Sequence, residues 1–222
     1  MAKKRAIDEL LKVMARLRAP DGCPWDREQD HKSIRMNAVE EVYELLDAIE
    51  AEDDAEMEEE LGDLLLQVVF HAQMAKERDA FDFEKVARNI TDKLVRRHPH
   101  VFGRAKVEDV AGVWNQWDAI KQTEKAGTVN ERKSAFDGIP SYLPALMRAH
   151  ETVKKARKHG LLTKGRKTKS KAKEELGRQL FKLAQRAQAS GWQAEELLRA
   201  ETVKQEKILR QKEKGRQNNK NA

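Results

Sequence analysis

Aromatic residues make up only 5% of this 222-residue chain, glycine and proline number 11 and 5, and cysteine occurs once. A single thiol, Cys23, excludes an internal disulfide framework. Strand signals are nearly absent, which argues against a sheet protein. No apolar run reaches the ~20 residues that a membrane helix needs, so no membrane partner is expected. What is present is charge: 37% of the residues are Asp, Glu, Lys or Arg, and runs of Ala, Leu, Glu, Lys and Arg dominate. That is the composition of an all-α protein. At the N-terminus Lys3, Lys4 and Arg5 are interrupted by Asp8 and Glu9, while Ile7, Leu10, Leu11, Met14 and Leu17 recur at helical spacing. We read this as an amphipathic helix and expect a cytoplasmic protein.

Periodicity and breakers predict the order of elements. After the first helix comes a turn-rich stretch, Ala19-Pro20-Asp21-Gly22-Cys23-Pro24-Trp25-Asp26. Helices are expected over about 34–52, 56–78, 83–97 and 107–125, with His98-Pro99-His100 ending the third of these because proline cannot continue it. Residues 126–145, with Gly127, Gly138, Pro140 and Pro144, read as a connector. Further helices are expected over about 146–158, 174–188 and 194–212. The basic run Lys164 to Lys173 between them lacks apolar residues apart from Ala172 and reads as mobile.

Charge divides unevenly. Up to Lys125 there are 20 Lys and Arg against 28 Asp and Glu, a net of −8, whereas the remainder carries 24 against 10, a net of +14. An acidic front suits metal binding; a basic rear suits nucleic acid, an acidic protein partner or another copy of the front half.

The informative residues are paired carboxylates. Glu41 and Glu44 lie in Glu40-Glu41-Val42-Tyr43-Glu44, and Glu60 and Asp63 in Glu59-Glu60-Leu61-Gly62-Asp63. Both pairs have i,i+3 spacing, so each presents two oxygens from one helix face. The second pair precedes Leu64-Leu65-Leu66-Gln67-Val68-Val69-Phe70, a run typical of a buried helix. At about 100° per residue, Gln67 and His71 fall within about 20° of Glu60, giving one polar stripe on that helix. Two buried carboxylates repel and resist desolvation, and a divalent cation resolves the conflict. The first pair also suits a solvated face, because Val39, Val42, Tyr43, Leu46 and Ile49 form the other side of its helix. The short acidic turn at Asp53 and Asp54 favours an antiparallel neighbour, which would bring the two pairs face to face. His71 is left open between a role beside Glu60 and a place in the core.

A faint echo occurs in the rear half. Glu174-Glu175-Leu176-Gly177-Arg178-Gln179-Leu180 repeats Glu59 to Leu65, with arginine where Asp63 stands. A cation at that position would repel a metal ion.

Five stretches in order, namely Gly22-Cys23-Pro24-Trp25-Asp26, Glu40-Glu41-x-x-Glu44, Glu60-Leu61-Gly62-Asp63, Lys93-x-x-Arg96-Arg97-His98-Pro99-His100-Val101-Phe102 and Ile139-Pro140-x-x-Leu143-Pro144-Ala145-Leu146, closely resemble the MazG nucleoside triphosphate pyrophosphohydrolases. The resemblance implies an all-α module that forms a four-helix-bundle core as a homodimer. It also implies Mg²⁺-dependent hydrolysis of nucleoside triphosphates to monophosphate and pyrophosphate, with Mn²⁺ as a substitute ion and broad base specificity. On that footing residues 1–125 are the expected catalytic module, 126–145 a connector and 146–222 a basic, degenerate second copy. Glu41, Glu44, Glu60 and Asp63 are the expected metal ligands, and Glu40 orients water or a ligand. Lys93 and Arg97, one turn apart, and the adjacent Arg96 are expected to meet phosphate, since guanidinium forms bidentate phosphate contacts; Arg96 equally suits a helix C-terminus, where the dipole favours a cation. Trp117 and Lys121, matching a family Trp-x-x-Ile-Lys element, are expected to take the base and a phosphate. His98 and His100 are expected to be structural, and Trp25 and Trp192 to pack. The competing class is a non-catalytic regulatory or nucleic-acid-binding helical protein using the basic rear half.

Overall fold

The computed structural model describes residues 5–125, 127–128, 131–163 and 170–220. Among these residues there is no strand, and ten helices follow one another: α1 (Ala6–Leu17), α2 (Pro24–Glu28), α3 (Asn37–Glu50), α4 (Asp54–Glu77), α5 (Phe83–Arg97), α6 (Pro99–Phe102), α7 (Val110–Lys125), α8 (Ala145–Lys158), α9 (Ser170–Ala189) and α10 (Ala194–Lys220). None of them is long and apolar enough to cross a membrane. Most of the basic run expected to be mobile, 164–169, lies outside the described residues. The contacts fall into two compact units, Met1–Trp117 and Asp118–Ala222.

The first unit is organised by α4. Its N-terminus is capped by Asp53, whose Oδ1 accepts from the backbone N–H of Ala55 at 3.0 Å and of Glu56 at 3.2 Å. Glu52, with φ of 54°, and the Asp53 N–H bonded to Ala48 O at 3.1 Å make the reversal from α3 tight. α4 therefore returns antiparallel along α3. From Gln67 onward it buries Val69, Phe70, Ala72, Met74 and Ala75. Val69, Phe70 and Met74 join Met14 of α1 and Ile34 in the core, with Leu10, Leu17 and Phe83 against them. Each such large side chain contributes about 1.5–3 kcal/mol by leaving water.

The N-terminal half of α4 behaves differently from the fully buried helix expected. Leu61 is 50% exposed and Leu65 39%, and on α3 Tyr43 and Leu46 are 51% and 49% exposed. The apolar stripe is real, but within one chain only its C-terminal half is covered.

The loop between α1 and α3 is held down by one arginine. The Arg18 guanidinium forms an ion pair with Glu77 at 2.8 Å, sits 5.4 Å from the Phe70 ring centre, and donates to the carbonyls of Asp26 and Gln29. Gly22 is required at the start of this loop, because a Cβ there would lie 2.1 Å from Leu17 O. Trp25, expected to pack, leans on the buried Phe70 at 6.4 Å with 55% of its surface exposed, and Trp192, also expected to pack, is 62% exposed.

In the second unit α8 packs on α10, and Phe136, Ala156, Leu161 and Leu209 form the core. Half-buried ion pairs join its elements: Arg148 with Glu206 at 3.1 Å and Arg210 with Asp137 at 2.6 Å. α9 leaves Leu176, Leu180, Phe181 and Leu183 exposed.

Candidate functional site

The α3–α4 hairpin sets two acidic faces against each other. Glu41 of α3 and Glu60 and Asp63 of α4 each offer an oxygen within 4.8 Å of the others, and all three are half-buried. The i,i+3 spacing puts Glu60 and Asp63 on one turn of α4, and the antiparallel return brings Glu41 to them. Glu44 lies one turn further along α3, is exposed, and is not in this group of three. Its charge is nevertheless felt at both Glu60 and Glu41. Glu40 is exposed on α3.

The electrostatics follow from that crowding. Burial first, then the charges of Glu44, Asp63 and Glu41, hold the Glu60 carboxyl above its ordinary range. Burial and the Asp63 charge do the same to Glu41, opposed by a hydrogen bond from Gln67. Glu60 Oε2 is buried with no hydrogen-bond partner. An acceptor-only group left in that state is costly, and converging carboxylate oxygens are the donor set that a hard divalent cation takes. The residues present thus fit a metal ion.

Two side chains that contact the polar stripe of α4 or the cluster were given no role by the sequence. Gln67 is buried and donates through Nε2 to Glu41 Oε1 at 3.2 Å, bridging α4 to α3. It was visible on the polar stripe, but its partner was not. His31, from the loop before α3, stacks on His71 with ring centres 5.1 Å apart and Nδ1 atoms 2.8 Å apart. His71 is thereby accounted for as half of a histidine pair, its pKa lowered by burial and by His31.

The cationic candidates lie on α5, which packs against α4. Lys93 and Arg97 are half-buried one turn apart, and Arg96 is exposed. At the end of α5, His98 Nδ1 meets Leu94 O of the same helix at 2.6 Å, and His100 Nδ1 meets Gln116 Oε1 at 2.8 Å, which ties the proline turn to α7. Trp117 stands edge-on to both His98 and Trp114, at 5.2 and 5.3 Å. Lys121 is half-buried one turn later on α7. In the rear echo, Arg178 pairs with Glu175 at 3.0 Å and Glu174 at 3.9 Å, so the cation is built into the helix.

Residues 29–102 match a family described as the MazG nucleotide pyrophosphohydrolase domain. A protein named nucleoside triphosphate pyrophosphohydrolase from Escherichia coli K12 is 51% identical over 150 residues, 67% of this chain and 56% of that protein. The Thermotoga maritima protein named nucleoside triphosphate pyrophosphohydrolase/pyrophosphatase MazG is 46% identical over 155 residues, 69% of this chain and 58% of that protein. An uncharacterized 26.1 kDa protein from Streptomyces cacaoi is 40% identical over 194 residues, covering 86% of this chain and 76% of its own length. The chain thus spans a little over half the length of the first two.

Proposed function

The chain belongs to the MazG family, and on that premise we propose that it hydrolyses nucleoside triphosphates to nucleoside monophosphates and pyrophosphate. The observation that carries the reading is the cluster of Glu41, Glu60 and Asp63 with a buried, unpartnered oxygen on Glu60. We assign these three as ligands of Mg²⁺, with Mn²⁺ as a substitute, and Glu44 as the fourth carboxylate drawn in when charge is neutralised. A divalent ion so bound supplies compensation for triphosphate charge and a water of lowered pKa. The chain's own residues do the rest. Lys93, Arg96 and Arg97 of α5 meet the phosphates, Trp117 takes the base, Lys121 adds a phosphate contact, and Glu40 orients water or a ligand. A broad base range is what the resemblance to the family implies, and the substrate panel below tests it.

We assign the chemistry to residues 1–125 and read 146–222, joined through 126–145, as a degenerate second copy in which Arg178 has replaced the metal. Two copies of the chain pair through the exposed apolar stripe of α3 and α4. The positive rear half is not by itself an argument for nucleic acid, because Arg148, Arg199 and Arg210 are engaged in ion pairs within their own unit.

The test is pyrophosphate release from a panel of nucleoside triphosphates with Mg²⁺ and with chelator. Release from several bases that needs the ion and is lost in Glu60→Gln is the expected result. Unchanged turnover in a folded Glu60→Gln protein removes the assignment.

A further inference from the structure

A buried amide whose oxygen has no hydrogen-bond partner needs a reason to be kept. Gln67 is 6% exposed, its Nε2 donates to Glu41 Oε1 at 3.2 Å, and its Oε1 is buried without a partner. Methionine or leucine would fill the same volume between α3 and α4 with no polar atom left over. The amide is therefore not there for packing.

Its chemistry suits the place. An ionised carboxylate only accepts hydrogen bonds, so Gln67 must present its N–H to Glu41 and turn its oxygen into the adjoining space. A lysine or arginine there would bring its own positive charge and compete with a metal ion; a glutamate would add to the repulsion. A neutral donor holds Glu41 without doing either. The rear half supplies the contrast. Extending the echo of Glu60 at Glu175 by seven residues puts Lys182 opposite Gln67, in the same helix where Arg178 has replaced Asp63. Where the anionic cluster is gone, the neutral amide is gone as well.

We propose that Gln67 is the positioning residue of this carboxylate centre: its N–H locks the Glu41 carboxylate against α4, so that a divalent cation meets three oxygens already in place, and its free oxygen accepts from a water carried by that cation. The inference rests on the cluster being the metal site. Hydrogen-bond partners of metal ligands commonly change affinity 10–100-fold when removed.

The test uses the full chain and Mn²⁺ alone, with the free ion followed by its electron paramagnetic resonance signal. Gln67→Met is expected to keep its helical circular dichroism and melting temperature while binding Mn²⁺ about 10–100-fold more weakly. A role confined to packing predicts Mn²⁺ affinity unchanged at any melting temperature, and that result overturns the proposal. Glu60→Gln separates the two levels. If it still binds Mn²⁺ like the wild type, the centre itself is wrong and this inference falls with it; if it loses binding while Gln67→Met does not, only the role of Gln67 falls. Should Gln67→Met fail to fold, the wild-type protein decides. The side-chain amide resonances of Gln67 are expected to shift as Mg²⁺ saturates the site, and resonances that ignore Mg²⁺ overturn the proposal.

Discussion

At the scale of single residues, Glu60 concentrates the conflict between folding and function. Its carboxyl is held above the ordinary 4.5 by burial first, then by Glu44, Asp63 and Glu41. A raised carboxyl pKa means that the folded chain favours the protonated form more than the unfolded chain does. Its contribution to stability is therefore complete below about pH 4.5 and is lost as pH rises through the raised value. In chelator the melting temperature of the wild type should fall over that rise, and Glu60→Gln should flatten the fall and melt higher near neutral pH. Saturating Mg²⁺ should restore the wild type and do little for the variant, whose turnover should drop at least tenfold. Thermal melts at several pH values, with and without Mg²⁺, check this; coincident melts of the two proteins in chelator near pH 7 would contradict it. Glu60 and Asp63 were readable in the sequence because helical spacing alone puts them on one face. The Gln67 to Glu41 bond was not, since it joins residues 26 apart and depends on how α4 slides along α3. The stacking of His31 on His71, across 40 residues, was invisible for the same reason.

At the scale of elements, the hairpin of α3 and α4 carries the site, and its turn is where it is vulnerable. Asp53 closes two of the first N–H groups of α4 and the chain reverses immediately before it. Asp53→Ala removes that cap and should cost about 1 kcal/mol, read as a lower urea midpoint with an unchanged slope. A midpoint equal to the wild type would mean that the cap is supplied by solvent. The long helices were legible in the sequence because their apolar residues repeat over several turns. α5 shows it best, expected over 83–97 and found at Phe83–Arg97, with Asp82 accepting from Lys85 N at the start and His98-Pro99 at the end. The short helices α2 and α6, of 5 and 4 residues, were not foreseen. One turn gives no period to detect, and both form where proline opens a helix with its φ already set. The C-terminal end was misjudged in the other direction: α10 continues to Lys220, past the Lys212 expected and through Gly215, because a single glycine weakens a helix by about 1 kcal/mol without ending it.

At the scale of the whole molecule, the acidic cluster and the uncovered stripe belong to the same two helices, so pairing through that stripe, as proposed, would couple assembly to the metal site. Val42, Tyr43, Leu46 and Ile49 of α3 and Leu61, Leu65 and Val68 of α4 are all exposed in one chain. A contiguous apolar surface of that extent on a small protein marks an interface. Covering it with the same stripe of a second copy would join two α3–α4 hairpins into a four-helix core, and would put the half-buried carboxylates in a drier setting, where a cation is held more tightly. The sequence disclosed the stripe, but its periodicity reports only that a face is apolar and not what covers it. Sedimentation at micromolar protein should return about twice the 25.5 kDa chain mass. Leu46→Lys places a charge in the middle of the stripe, away from the three clustered carboxylates, and should yield a helical monomer with weakened Mn²⁺ binding. A wild-type protein that sediments as 25.5 kDa, with Leu46→Lys binding Mn²⁺ equally well, would leave the stripe without this occupant and the carboxylates dependent on their own chain alone.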